Sequence, residues 1–78
     1  MESIEKIKKI IFDNIDNKVN IEDSTDLRTG IQIDSFDALM IMTGIEDEFK
    51  ITLEEDEFKK VGTPLQILSL LKEKYGVK

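Results

Sequence analysis

The residues best placed to do chemistry in this sequence sit together. In Leu27-Arg28-Thr29-Gly30-Ile31-Gln32-Ile33-Asp34-Ser35-Phe36-Asp37 a serine hydroxyl stands beside carboxylates where the pattern turns helical. Acidic landmarks follow: Glu46-Asp47-Glu48 closing on Phe49, then Glu54-Glu55-Asp56-Glu57. The chain has no cysteine, which removes disulfides, Cys-ligated zinc and a thiolate nucleophile. It has no histidine either, so a Ser-His-Asp triad, a histidine general base and the usual zinc and copper sites are excluded. Ordinary catalysis would rest on carboxylates or lysine alone. Taken by itself Asp34-Ser35-Phe36 is a weak signal, because Asp and Ser are the commonest residues to open a helix.

The elements that position this serine can be read from spacing. Asp34 is placed to accept hydrogen bonds from the free N–H groups of a first helical turn, with Asp37 in the capping-box position three residues on. The helix it opens carries the stripe Phe36, Leu39, Met42, Ile45 and Phe49, read first as core-facing. Gly44 in its middle should cost about 1 kcal/mol relative to alanine and therefore needs a reason. Upstream, Ile4, Ile7, Ile11 and Ile15 recur at helical spacing with Ile10 widening the stripe, which predicts a helix from Ser3, as its cap, to Asp16 and a turn over Asp16-Asn17-Lys18. From Val19 to Ile33 no period is sustained, so a long loop pinned by its own apolar residues is expected. Phe58 and Val61 predict a brief helix stopped by Gly62. Thr63 as cap, Pro64 at the first helical position and Gln66 completing the box open a last helix that points Leu65, Ile67, Leu68 and Leu71 inward and closes at Tyr75-Gly76. The expected fold is all-α, a small four-helix bundle of three longer helices and one short one.

Composition bounds the rest. Seventy-eight residues suffice for one modest core, so residues 1–78 are expected to form a single domain and a monomer. Seventeen acidic against eleven basic residues give a net charge of −6, a surface that repels nucleic acid and anionic lipid and suits basic protein patches. No apolar run approaches the roughly 20 residues of a membrane span, and MESIEKIKKIIFDNI lacks the apolar core of a secretory signal. A cytoplasmic protein is expected. Asp13 to Asn20 faintly suggests a calcium loop but fails, since Ile15 falls on a ligand position and Lys18 replaces the turn glycine; no metal site is expected.

From Leu27 to Leu71 the sequence resembles the acyl carrier protein family in register: an Asp-Ser-Leu-like tripeptide opening the second helix, a Glu-rich end to that helix closing on Phe, an acidic third segment, and a last helix starting near Thr. The resemblance implies that Ser35 bears 4′-phosphopantetheine through a phosphodiester, that the thiol of this arm holds acyl cargo, and that the chain itself is not an enzyme. An anion at a helix N-terminus would face the positive end of the dipole and unpaired N–H groups. The resemblance further implies that Asp34 helps the phosphopantetheinyl transferase, or holo-synthase, recognise the serine, any magnesium belonging to that synthase. Three residues depart from the family pattern: Gln32 for a common glycine, Phe36 for leucine, and Met40 where a glutamate used by partners is frequent. They leave open a housekeeping fatty-acid carrier or a specialised one, polyketide included.

Between Asp34 and Glu57 only Lys50 opposes the acids. A solvated face is the ordinary fate of such a run, but its density favours docking, with Asp37, Met40, Glu46, Asp47, Glu48 and Glu55 expected to meet basic patches on acyl-transferring and condensing enzymes. The residues Phe36, Leu39, Met42, Ile45, Leu68 and Leu71 are expected to form a core that can open to shelter an acyl chain. The competing reading is an unmodified acidic interaction module, for which Ser35→Ala would be silent and charge reversal at Glu46 or Glu48 would abolish function.

Overall fold

An isoleucine stripe on the first helix organises the molecule. The computed structural model describes residues 2–16 and 18–77; Asn17, part of the expected turn, lies outside them. Among the described residues there are four helices, α1 (Ser3–Asp13), α2 (Ser35–Phe49), α3 (Glu55–Phe58) and α4 (Pro64–Tyr75), and no strand. The expected all-α bundle of three longer helices and one short one is the fold observed. Ile7 and Ile11 of α1 are fully buried, and α1 packs against both α2 and α4. With them the core holds Ile15, Ile21, Leu27, Ile41, Ile45, Leu53, Phe58, Ile67 and Leu71. Each such burial contributes on the order of 1.5–3 kcal/mol before chain entropy is set against it.

Helix ends follow local chemistry. α1 stops at Asp13, short of the expected Asp16, because Asn14 turns back on the last turn: its side-chain amide donates to the Ile10 carbonyl at 2.8 Å and its backbone N–H to that of Ile11 at 3.1 Å. Its start is also displaced by one residue, with Glu2 in the cap position and Ser3 already helical. α4 is framed as its sequence dictates: Thr63 Oγ1 accepts from the Gln66 N–H at 3.1 Å, Pro64 takes the first position, and Gly76 closes the helix at φ 68°. Leu65, however, is exposed rather than inward-facing.

The long connection between α1 and α2 is tied to the bundle at several points. Ile21 and Leu27 enter the core. The Leu27 N–H donates to the Gly62 carbonyl at 2.7 Å, and that of Leu65 to the Asp23 carbonyl at 3.1 Å. Asp26 builds a turn by accepting the N–H groups of Thr29 and Arg28 at 3.0 and 2.9 Å, bonds that hold its carboxyl below the usual range. These ties deliver Ile33 and Asp34 to the start of α2 in a fixed orientation.

Candidate functional site

Ser35 is the first helical residue of α2 and is exposed to solvent. Asp34 takes an extended cap conformation, and its Oδ1 accepts the Asp37 N–H at 2.8 Å. The capping leaves the first-turn N–H groups of Ser35 and Phe36 with no carbonyl one turn back to pair with. An anion joined to Ser35 Oγ would lie at the positive end of a 15-residue helix dipole. The residues present therefore suit a phosphodiester at this position. Asp37 is half-buried, and that burial, with the negative charges of Asp34 and then Asp16, pushes its carboxyl up from the ordinary aspartate value.

Beside Ser35 a cleft of about 260 Å³ opens between the start of α2 and α3. Ile33, Ala38, Leu39, Met42 and Phe58 give it an apolar lining, while Arg28, Asp34, Glu55 and Lys59 supply charge. The Arg28 guanidinium spans the gap to α3, donating to the carbonyls of Phe58 and Val61 at 2.9 and 3.2 Å and lying 5.9 Å from the Phe58 ring centroid. On its far side α3 is held by the Tyr75 hydroxyl, which donates to Glu57 at 2.8 Å, and by a Lys74–Glu57 ion pair.

Of the residues expected to form an apolar interior around cargo, the structure brings Leu39 and Met42 to this cleft. Ile45 and Leu71 are fully buried in the main core, and Leu68 packs against that core. Phe36 is 67% exposed and Leu39 49% exposed, so the core-facing stripe expected for α2 is corrected: its buried side is Ile41 and Ile45, with Ala38, Met42 and Phe49 partly covered. Sequence reasoning passed over Arg28, Ile33, Ala38, Phe58 and Lys59 as cleft residues; only the apolar types of Ile33 and Phe58 hinted at burial.

The residues expected to dock partners differ in their freedom. Met40 and Asp47 are exposed. Glu48 reaches Lys6 at 3.5 Å and Glu55 reaches Lys59 at 3.2 Å, both as surface pairs. Glu46 is structural as well as acidic, since its Oε2 accepts the N–H of buried Leu53 at 2.8 Å. Among the described residues no cluster of acids could hold a metal ion, and no helix is long and apolar enough to cross a membrane.

The family described as the phosphopantetheine attachment site matches residues 5–71. An acyl carrier protein of Lactobacillus acidophilus is 32% identical over 76 residues, covering 96% of this chain and 95% of that protein. One from Petrotoga mobilis is 31% identical over 79 residues, covering 97% and 91%. A third, from a Picosynechococcus species, is 28% identical over 76 residues, covering 96% and 94%. With a family match over most of its length and relatives aligned nearly end to end, the chain belongs to the acyl carrier protein family, whose phosphopantetheine attachment domain it contains.

Proposed function

We propose that Ser35 is the attachment residue, that its Oγ carries 4′-phosphopantetheine through a phosphodiester, and that the chain shuttles thioester-bound acyl groups between enzymes without catalysing their reactions. The observation that carries this reading is that Ser35 is an exposed residue at the first position of α2, capped by Asp34 and adjoining the cleft. When bound, the arm supplies the thiol that a cysteine-free chain lacks. The chain's own residues do the rest: Asp34 fixes the helix opening and presents a carboxylate to the modifying transferase, and the first-turn amides meet the phosphodiester charge. The acidic surface steers enzymes bearing Lys and Arg patches.

The pathway is fatty-acid synthesis or a related specialised one such as polyketide assembly. Exposed Met40 and Phe36 support the specialised alternative, because they offer apolar contacts on the face that would meet a partner. We place the protein in the cytoplasm, a setting with which a cysteine-free chain is compatible.

Intact mass after incubation with coenzyme A, magnesium and a broad-specificity phosphopantetheinyl transferase tests the assignment. A gain of one phosphopantetheine that disappears in Ser35→Ala is the expected result. An unchanged mass across several transferases would leave an unmodified acidic interaction module in its place.

A further inference from the structure

The cleft beside Ser35 is not a purely apolar slot. At about 260 Å³ it lies below the usual size of a site enclosing a drug-sized ligand. Its cations also differ from each other. Lys59 is paired with Glu55 at 3.2 Å, whereas Arg28 has no carboxylate within ion-pair distance among the described residues. Both of its hydrogen bonds leave from Nη2 and end on neutral backbone carbonyls. A guanidinium has five N–H donors in a planar fork, so the Nε and Nη1 donors remain to be used beside the cleft. The guanidinium makes no ion pair although carboxylates surround it: Asp26 feels its charge but spends Oδ1 on the Arg28 and Thr29 N–H groups, Asp34 accepts the Asp37 N–H, and Glu55 pairs with Lys59. Long saturated cargo would gain nothing from such a group and would desolvate it at a loss.

Resting on the carrier reading above, we infer that the cleft favours short acyl cargo bearing an oxygen acceptor, with Arg28 as the residue that selects it. Ile33, Ala38, Leu39, Met42 and Phe58 cover the carbon skeleton, and the free edge of the guanidinium donates to a keto or carboxylate oxygen. Because Arg28 also pins α3, its removal has a structural effect on every cargo. The signature of selection is the difference between cargoes.

The test loads the full chain, wild type and Arg28→Gln, with butanoyl, 3-oxobutanoyl or 3-carboxypropanoyl pantetheine and follows thioester cleavage by hydroxylamine. The ratio of variant to wild-type rate cancels the intrinsic reactivity of each cargo. Loss of one or two hydrogen bonds should raise that ratio roughly two- to tenfold more for the oxygenated cargoes than for butanoyl, with Arg28→Lys restoring part of the protection. A larger effect on the carboxylate than on the ketone would identify an anionic acceptor, and equal effects a neutral one. The same ratio for all three cargoes would reduce Arg28 to a pin on α3 and overturn the inference while leaving the carrier reading intact. Failure of Ser35 to load at all would overturn both.

Discussion

Gly44 of α2 lies against Ile10 of α1 so closely that a Cβ at position 44 would sit 2.8 Å from Ile10 Cγ2. The mid-helix glycine therefore has a packing reason: it lets two helices approach where a β-branched side chain already fills the space. Gly44→Ala should gain about 1 kcal/mol in helix propensity and lose more to overpacking, for a net destabilisation of about 1 kcal/mol. In an Ile10→Ala background the clash is gone and the same change should stabilise by about 1 kcal/mol. Urea unfolding of the four-member cycle measures the coupling, and additive effects would contradict the contact.

Gln32 occupies the left-handed region at φ 61°, two residues before Asp34. A residue with a Cβ is strained there by about 1–2 kcal/mol, whereas glycine is not. Gln32→Gly should raise stability by about 0.5–1 kcal/mol, the relief being partly offset by the greater freedom of glycine in the unfolded chain. The denaturant midpoint should rise with an unchanged slope. A lower midpoint would mean that the glutamine side chain contributes more than its backbone loses.

How much of this architecture can be read from residue order varies by element. α4 is legible because its signals are local: Thr63, Pro64 and Gln66 at one end and Gly76 at the other each act within a few residues. The opening of α2 is legible for the same reason, through Asp34. The inward face of α2 is not. Phe36, Leu39, Met40, Ile41, Met42 and Ile45 surround much of the helix, so spacing permits more than one buried stripe, and contact with α1 decides for Ile41 and Ile45. The cleft is hidden for a deeper reason. Arg28 and Phe58 are thirty residues apart and meet through a hydrogen bond that no periodicity announces.

Glu57 ties α3 to α4, and its pH dependence has a definite sign. The Lys74 ammonium first, and the Tyr75 hydroxyl second, hold its carboxyl below the ordinary glutamate value. A carboxyl depressed in the folded chain binds its proton less tightly there than when unfolded. Its contribution is present above the ordinary glutamate value and is lost as pH falls through the folded value. Wild type should therefore have a higher urea midpoint than Glu57→Gln at neutral pH, and the two curves should converge as pH falls below the ordinary glutamate range. A gap that stays constant with pH would show that the ion pair contributes nothing measurable.

Glu46 and Asp47 are adjacent in sequence and acidic, yet reversing their charges should have different consequences. Glu46 Oε2 receives the Leu53 N–H at 2.8 Å, a bond that fixes the chain leaving α2 as Leu53 enters the core. Glu46→Lys should remove that acceptor and destabilise the fold by about 1–2 kcal/mol, so a functional loss would not by itself report docking. Asp47 is exposed and outside the hydrogen bonds and ion pairs seen among the described side chains. Asp47→Lys should leave stability within about 0.5 kcal/mol of wild type. It should slow association with a basic partner enzyme roughly two- to tenfold at low salt, an effect that fades as ionic strength rises. Stopped-flow association of the loaded carrier with its transferase, read beside urea midpoints, separates the two roles. A rate unaffected by Asp47→Lys at low salt would remove this part of the acidic face from the docking surface.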